Sequence, residues 1–569
     1  MPTLDWIGKK AVVNHHREVP YRLIHCDGDL SAGDPDAGNL LVQGDNLEAL
    51  KSLLPYYAGK VKCIYIDPPY NTGSEGWVYN DNVASPEIKA WLGKVVGKEA
   101  EDLSRHDKWL CMIYPRLRLL KEFLRDDGVI FVSLDDNEIE NLLAVMNDVF
   151  GKTNWLGTIV WKNVTDNNPT RVVVEHEYIV AFSRRKDSLP KSWKSPVSQV
   201  KDLLVLKGEE LASQHPEDAD LEREFKTWYR EQKAYLSPLD RYKYIDRGGI
   251  FTGSQSVHNP GREGYRYDIL HPDTGEPCKE PAMGYRFPEA TARKMEQEGR
   301  FIFGQDHTKI VEIKLYASEY EDKLPSIINM DGRLGTNEIS SIFHERRRAF
   351  DYPKPSALIK ELLSFVVEDG DLVLDSFSGS GTTGHAVLDL NKQDGGDRQF
   401  ILVEMDEAIA AGITAERLRR VIEGFDKGGD TTKPVAPLGG GFRFCHLGTP
   451  LFNEFGDIDG DVIYPDLAAH VYFSETGSPL PHKVDGGTSF IGTHKKKAVY
   501  LLFSSAEQGV AREAAGNVLT PDALTNLPAP SNEFDGIRVV YAEGCTVSPE
   551  RLKAESILFK QIPYQIEGN

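Results

Sequence analysis

Cysteine is scarce in this chain. The six in 569 residues (Cys26, Cys63, Cys111, Cys278, Cys445, Cys545) are scattered, and no pair has metal-ligand spacing. No zinc, no other metal and no disulfide framework is therefore expected. Long hydrophobic runs are also missing; none approaches the roughly 20 residues that span a bilayer. The stretch from Met1 to Arg22 is polar and lacks the n-region and h-region of a secretory signal, so a cytoplasmic protein with no membrane partner is expected. There is no internal repeat and no Gly-Lys-Ser/Thr P-loop. There is no helicase motif and no metal-nuclease constellation, so any cleavage of nucleic acid would need another subunit. What is present, 40% apolar and 27% charged residues, is the composition of a globular protein. The length calls for about two to four domains.

Positive charge is in deficit, with a net charge of −21. Counterion release favours basic surfaces on nucleic acid, which argues against such a partner. Net charge is only a sum, however, and binding depends on the local face. Arg184-Arg185-Lys186, Arg346-Arg347-Arg348 and Lys495-Lys496-Lys497 are local clusters, each of which reads more simply as a solvated surface run. Charge leaves the question open.

The chain is organised around Ile64-Tyr65-Ile66-Asp67-Pro68-Pro69-Tyr70-Asn71. An apolar strand pattern from Val61 stops at Asp67. The two prolines lack an N–H and cannot continue a sheet, and Asp67 is kept extended by the proline after it. A stiff loop at the carboxyl end of a buried strand results, where ligands bind in open α/β sheets. One carboxylate, carbonyls made rigid by proline and a Tyr ring suit a flat molecule with an exocyclic amine, which describes a nucleobase.

Residues 1–38 end in a Gly/Asp/Pro/Ala-rich stretch and read as an arm. Strand and helix patterns at Leu40–Val42, Leu47–Leu54, Val61–Ile66, Asp107–Leu124 and Val129–Leu134 have the spacing of a parallel α/β unit. The long Gly- and Asn-rich connection 72–104, with Trp77, Tyr79 and Trp91, suggests a substrate-facing loop. This α/β half is expected over 39–186. Residues 187–345, charged and helical and then aromatic with short β-like runs, read as an inserted module. A second α/β half follows over 346–427, and a Gly/Thr/Lys/Pro linker leads to a C-terminal domain of mixed strands within 428–569.

The second half holds another site. Asp375-Ser376-Phe377-Ser378-Gly379-Ser380-Gly381-Thr382-Thr383-Gly384 lies between a strand and a helix, with G-x-G-x-x-G spacing. Glu404 ends the next strand. Glycines allow close backbone approach, and an acid there holds a ribose diol. Dinucleotide binding fits the spacing. The Asp67–Tyr70 loop offers nothing for hydride transfer and suits an amine acceptor, which favours S-adenosylmethionine as the cofactor.

Together these residues resemble the β-class DNA amino-methyltransferases, in which Asp-Pro-Pro-Tyr comes first, a target-recognition region next and Phe-x-Gly-x-Gly last. The chain looks in particular like the Mod subunits of type III restriction–modification systems. Gly44-Asp45-Asn46-Leu47-Glu48-Ala49-Leu50, Lys354-Pro355 with Leu358-Ile359-Lys360, Gly439-Gly440-Gly441-Phe442 and Phe559-Lys560-Gln561-Ile562-Pro563-Tyr564 support this. The resemblance implies a Rossmann-like α/β fold with a mixed, mostly parallel sheet, and transfer of a methyl group to adenine N6 in double-stranded DNA. It implies catalytic Asp67, Pro68, Pro69 and Tyr70. Around the cofactor it implies Asp45, Lys354, Asp375, Phe377, Ser378, Gly379, Gly381, Thr382 and Glu404. The inserted module would read DNA, with Arg262, Tyr265, Arg266 and Arg286, and also Tyr242 and Arg300, as DNA-facing groups. Its partners would be a second copy of the chain and a restriction (Res) subunit. Ser376 departs from the family, which often has Pro there.

Three rivals remain. N4-cytosine presents a similar amine, and Asp rather than Ser before Pro-Pro-Tyr favours adenine by family pattern alone. A non-catalytic specificity or scaffold subunit could keep the fold, although Asp67, Tyr70, Gly379, Gly381 and Glu404 are intact. A nicotinamide oxidoreductase would bind NAD in place of S-adenosylmethionine.

Overall fold

The structure, a computed structural model, describes residues 4–34, 36–72, 105–164, 171–191, 193, 199–233, 236, 239–254, 256–258, 261–320, 323–453, 457–504, 516–530 and 534–562. The expected substrate-facing loop with Trp77, Tyr79 and Trp91 lies outside these residues, as do Pro563 and Tyr564. Among the described residues no helix is long and apolar enough to cross a membrane. Ten strands form one sheet: β1 (Arg22–Gly33), β2 (Leu40–Gln43), β3 (Val61–Ile66), β4 (Leu124–Leu134), β5 (Trp155–Lys162), β6 (His176–Ser183), β7 (Ile327–Asn329), β8 (Leu372–Asp375), β9 (Gln399–Glu404) and β10 (Gly441–Pro450). Their spatial order is β1-β10-β2-β9-β8-β3-β4-β6-β5-β7.

From β10 to β4 every neighbouring pair is parallel. β1 runs antiparallel to β10, β6 to β4 and β5 to β6, and β7 pairs parallel with β5. This is the mixed, mostly parallel sheet expected. Strands covered on both faces become continuous apolar runs, and every residue of β3 and β8 is buried. The one cation of β3, Lys62, pairs with Asp127 Oδ2 at 2.7 Å.

Helices α1 (Asn46–Tyr57), α2 (Arg105–Phe123), α3 (Ile139–Phe150), α4 (Arg333–Ile342), α5 (Ser356–Val366), α6 (Thr382–Asp394) and α7 (Glu416–Glu423) belong to the same unit as the sheet. α1, α2 and α5 bury the leucines and isoleucines that repeat at helical spacing, such as Leu47, Leu50 and Leu54 in α1. Because the central strands are parallel, β2, β3, β4, β8 and β9 all deliver their carboxyl ends to one edge of the sheet. That edge carries Asp45, Asp67, the Asp375 loop and Glu404.

The chain divides into two compact units, Met1–Lys191 with Pro325–Asn569, and Ser192–Leu324. The second contains helices Gln199–Gln214 and Asp218–Gln232 over a core of Leu204, Leu211, Leu221 and Phe225. Its four-stranded antiparallel sheet orders Tyr244–Asp246, Gly249–Ser254, Glu312–Tyr316 and Phe301–Ile302.

Several expectations are corrected. Residues 1–38 are not only an arm, because β1 pairs with β10 along the sheet edge. The inserted unit is narrower than 187–345, because β7 joins the large sheet through β5. Residues 428–569 are not a linker and a separate domain. β10 lies inside the sheet, and Leu467, Val471, Val499 and Val539 share one hydrophobic cluster with Leu50 and Ile64. Cys26 and Cys445, opposite one another on β1 and β10, form a disulfide where none was expected. They are 419 residues apart in the chain, so spacing gave no sign of the pair.

Candidate active site

The Asp67–Tyr70 loop is held from several sides. The Pro69 carbonyl accepts a hydrogen bond from Trp109 Nε1 at 2.7 Å, whereas among the described residues nothing donates to the Pro68 carbonyl. Asn71 takes a left-handed conformation (φ 61°) that Asn tolerates better than most residues. Its buried amide donates to Glu138, whose carboxylate also meets His106 and Asn141. The loop is thus braced by α2 and by the residues that start α3.

Four polar side chains meet here. Lys354, in the segment before α5, places Nζ 2.9 Å from Asp67 Oδ2, 2.8 Å from the Tyr70 hydroxyl and 3.2 Å from Glu177 Oε2. The Tyr70 hydroxyl is 2.9 Å from Asp67 Oδ1 and 2.7 Å from Glu177 Oε2. Asn163 Nδ2 donates to the other Glu177 oxygen at 2.7 Å. Burial raises the Asp67 pKa above the ordinary carboxylate range, Lys354 opposes the rise and Glu177 adds to it. The two carboxylates hold the Lys354 ammonium protonated and overcome its own desolvation. Lys354, expected in the cofactor pocket, has its charge on the Asp67 side.

On the neighbouring strand, Asp375 is buried and accepts from the Phe377 N–H at 3.0 Å and from the Thr383 hydroxyl. Burial pushes its pKa up to about 7. Glu404 accepts from Gly379 N–H at 2.8 Å and Asp406 N–H at 3.0 Å, and burial raises it also to about 7. Gly379 (φ 47°) and Gly381 (φ 76°) hold left-handed conformations that suit glycine. A Cβ on Gly381 would stand 3.0 Å from Thr414 Cγ2. Phe377 is buried in the main cluster. Thr382 Oγ1 reaches the Lys354 carbonyl at 3.3 Å, which links the glycine loop to the first cluster. Among the described residues the buried hydroxyls of Ser376 and Ser378 have no hydrogen-bond partner.

Asp45 caps α1, accepting from Leu47 and Glu48 N–H, and its second oxygen meets Arg116 at 3.3 Å. Asn46 Nδ2 donates to the Ser376 carbonyl at 3.1 Å, which ties this turn to the glycine loop. The structure therefore brings Asp67–Tyr70, Lys354, the 375–382 loop, Glu404 and Asp45 to one sheet edge.

In the inserted unit, Arg262, Tyr265 and Arg286 are exposed. Arg266 pairs with Glu280 at 2.6 Å and Arg300 with Glu319 at 2.6 Å. Tyr242 is only 2% exposed and belongs to the core, so it is not a DNA-facing group.

Sequence reasoning missed Glu177, Asn163, Thr414 and Arg417. Thr414 Oγ1 donates to the Gly379 carbonyl at 2.6 Å. Arg417, fully buried, reaches Ser380, Thr382 and Glu338 from behind the glycine loop. None lies in a motif. A buried arginine inside the apolar face of α7 was the one available signal.

The sequence profile of a family described as DNA methylase matches residues 61–416. The chain is 46% identical over 416 residues to the type III restriction-modification enzyme EcoP15I Mod subunit of Escherichia coli, across 71% of this chain and 64% of that protein. It thus spans a little under two thirds of that relative's length. To the StyLTI Mod subunit of Salmonella typhimurium it is 29% identical over 558 residues, 90% of this chain and 74% of the relative. Among solved structures, TTHA0409 of Thermus thermophilus, a putative DNA modification methylase complexed with S-adenosyl-L-methionine, aligns at 15% identity. Its TM-score is 0.30, with 72% of this chain and 99% of that one covered.

Proposed function

The chain belongs to the DNA methylase family, and from that premise we propose that it methylates adenine N6 in double-stranded DNA as the modification subunit of a type III restriction–modification system. One observation carries the reading. β3 and β8 are adjacent and parallel, so the Asp67–Tyr70 loop and the glycine loop leave the sheet at the same edge. The residues present fit S-adenosylmethionine. Two buried hydroxyls, Ser376 and Ser378, await a polar partner, and Glu404 keeps acceptor capacity beyond its two backbone bonds. Asp375, Phe377, Ser378, Gly379, Gly381, Thr382 and Glu404 would hold the cofactor, with Asp45 beside them. When bound, the cofactor supplies an electrophilic methyl group.

The chain's own residues do the rest. The target base must leave the duplex, at a cost of a few kcal/mol. Stacking on the Tyr70 ring returns about 1–3 kcal/mol, by analogy with aromatic–base contacts. Asp67 and the Pro68 carbonyl accept the two amine hydrogens. An adenine amine is normally flat, its lone pair delocalised into the ring, and acceptors that draw it toward tetrahedral geometry act most strongly in the transition state. Lys354 fixes the carboxylate in place and favours its ionised form. On taking the methyl group the amine would shed a proton, and the Asp67 carboxylate, its pKa raised by burial, would accept it.

The unit 192–324 would read the sequence, through exposed groups such as Arg262, Tyr265 and Arg286, with Arg266 exchanging Glu280 for phosphate. A second copy and a Res subunit would complete the assembly; the EcoP15I relative is, by its name, one subunit of a restriction-modification enzyme. The test is Asp67→Ala, assayed with long unmethylated DNA and tritiated S-adenosylmethionine. Methylation should vanish while cofactor binding, measured by calorimetry, persists. Turnover at the wild-type rate would refute the mechanism. Sequencing the product separates N6-adenine from N4-cytosine.

A further inference from the structure

Glu177 lies in no motif, yet its carboxylate is the shortest contact of the Tyr70 hydroxyl. That hydroxyl has one hydrogen and, among the described residues, three neighbours: Glu177 Oε2 at 2.7 Å, Lys354 Nζ at 2.8 Å and Asp67 Oδ1 at 2.9 Å. Lys354 can only donate. Its three hydrogens have three acceptors, namely the hydroxyl, Asp67 Oδ2 and Glu177 Oε2. The phenol hydrogen must therefore go to Asp67 or to Glu177, and cannot serve both.

Geometry distinguishes the two. Glu177 sits on β6, which is paired on both sides, and Asn163 pins its second oxygen. Because β6 is antiparallel to β4, with Leu134 opposite Tyr178, its first residues arrive at the edge where the parallel strands end. Asp67 stands on a loop, and with Oδ2 held by Lys354 its Oδ1 is the oxygen left for a target amine.

We propose that Glu177 is a positioning residue for methyl transfer: it takes the Tyr70 hydroxyl hydrogen and so leaves Asp67 Oδ1 open to accept from the target amine. This rests on the function proposed above. Lys354, between the two carboxylates, offsets their mutual repulsion as they approach a single hydroxyl. Without Glu177 the phenol turns its hydrogen to Asp67, which fills the acceptor and weakens it as a base. The groups that face Asp67 are Lys354 before α5, Glu177 on β6, Tyr70 in its own loop, Tyr65 on β3 and Asp375 on β8. Of these Lys354 lowers its pKa, as does a hydrogen bond from the Tyr70 hydroxyl, and Glu177 raises it. Loss of the Glu177 charge therefore moves the acid limb of the rate profile to lower pH.

The test is a cycle of Glu177→Gln, Tyr70→Phe and the double variant in the full chain. Single-turnover methylation of unmethylated amplified genomic DNA is followed across pH, and S-adenosylmethionine affinity is measured by calorimetry. Glu177→Gln should slow transfer about tenfold, the worth of one hydrogen bond to a charged group. In the Tyr70→Phe background, which keeps the ring and removes the hydroxyl, the same change should cost less than about twofold. Cofactor affinity should stay, and the acid limb should move down. Equal losses in both backgrounds, no loss, or an unmoved acid limb overturn the inference while the proposed function stands. A wild-type chain that methylates no DNA overturns the function and the role of Glu177 with it.

Discussion

Replacing Lys354 by Met keeps the length of the side chain and removes its charge. At 2.9 Å from Asp67, with an effective dielectric constant near 20, the Coulomb attraction is roughly 6 kcal/mol. Both carboxylates keep part of their solvation, with side chains 25% and 21% exposed, and the ammonium no longer has to be desolvated. A net loss of about 2–3 kcal/mol remains after these offsets. If it falls on the transition state, transfer slows about 30- to 160-fold near neutral pH. The loss has a signature. Lys354 is the main group that lowers the Asp67 pKa, so without it the acid limb moves to higher pH and part of the rate returns in alkaline buffer. Single-turnover transfer from tritiated S-adenosylmethionine across about pH 6–9 reads both effects. A loss equal at every pH, accompanied by weaker cofactor binding, would refute the reasoning and return Lys354 to the cofactor pocket.

Gly381→Ala should weaken S-adenosylmethionine binding about tenfold by calorimetry, because a left-handed alanine costs about 1–2 kcal/mol and its Cβ meets Thr414. Asp375 and Glu404 have folded pKa values near 7, above their unfolded values, so the folded form binds the extra protons. Their contribution to stability is full below the ordinary carboxyl range and is lost as pH rises through about 7. The melting temperature of the cofactor-free protein should fall over that window as stability drops by up to about 1.4 kcal/mol per pH unit for each group, and Glu404→Gln should flatten the slope. Replacing residues 192–324 by a short Gly/Ser linker should leave cofactor binding intact and abolish sequence-specific methylation, read by calorimetry and by sequencing of the product.

Both loops of the site were legible because each is local chemistry: an apolar strand stopped by Asp-Pro-Pro, and glycines between a strand and a helix. Glu177 was not legible, because its role arises when β6 pairs antiparallel with β4, and nothing near it in the chain marks that pairing. Lys354-Pro355 marked the right neighbourhood, but only side-chain geometry shows which of two adjoining sites receives the ammonium. β1 escaped notice because an edge strand has no alternating pattern to maintain, and of its twelve residues only Leu23 is buried. β10 was hidden behind its glycines. Tyr242 misled in the opposite sense: an aromatic among arginines suggested a contact surface, yet it packs with Leu236, Leu239 and Ile245.

The pairing of β3 with β8 also sets a schedule for synthesis. Asn46 and its partner Ser376 are 330 residues apart, and Cys26 and Cys445 are 419 apart. At about 5–20 residues per second, the first half leaves the ribosome roughly 15–65 s before the strand that completes its sheet. For that interval, in which the unit 192–324 is itself being made, β3 presents an unpaired apolar edge. The long contacts that bring base clamp and cofactor loop together therefore also leave the nascent chain in need of chaperone cover. Proteolysis of chains stalled near residue 350 should cut around β3, and resistance there equal to that of the finished protein would contradict this order of events.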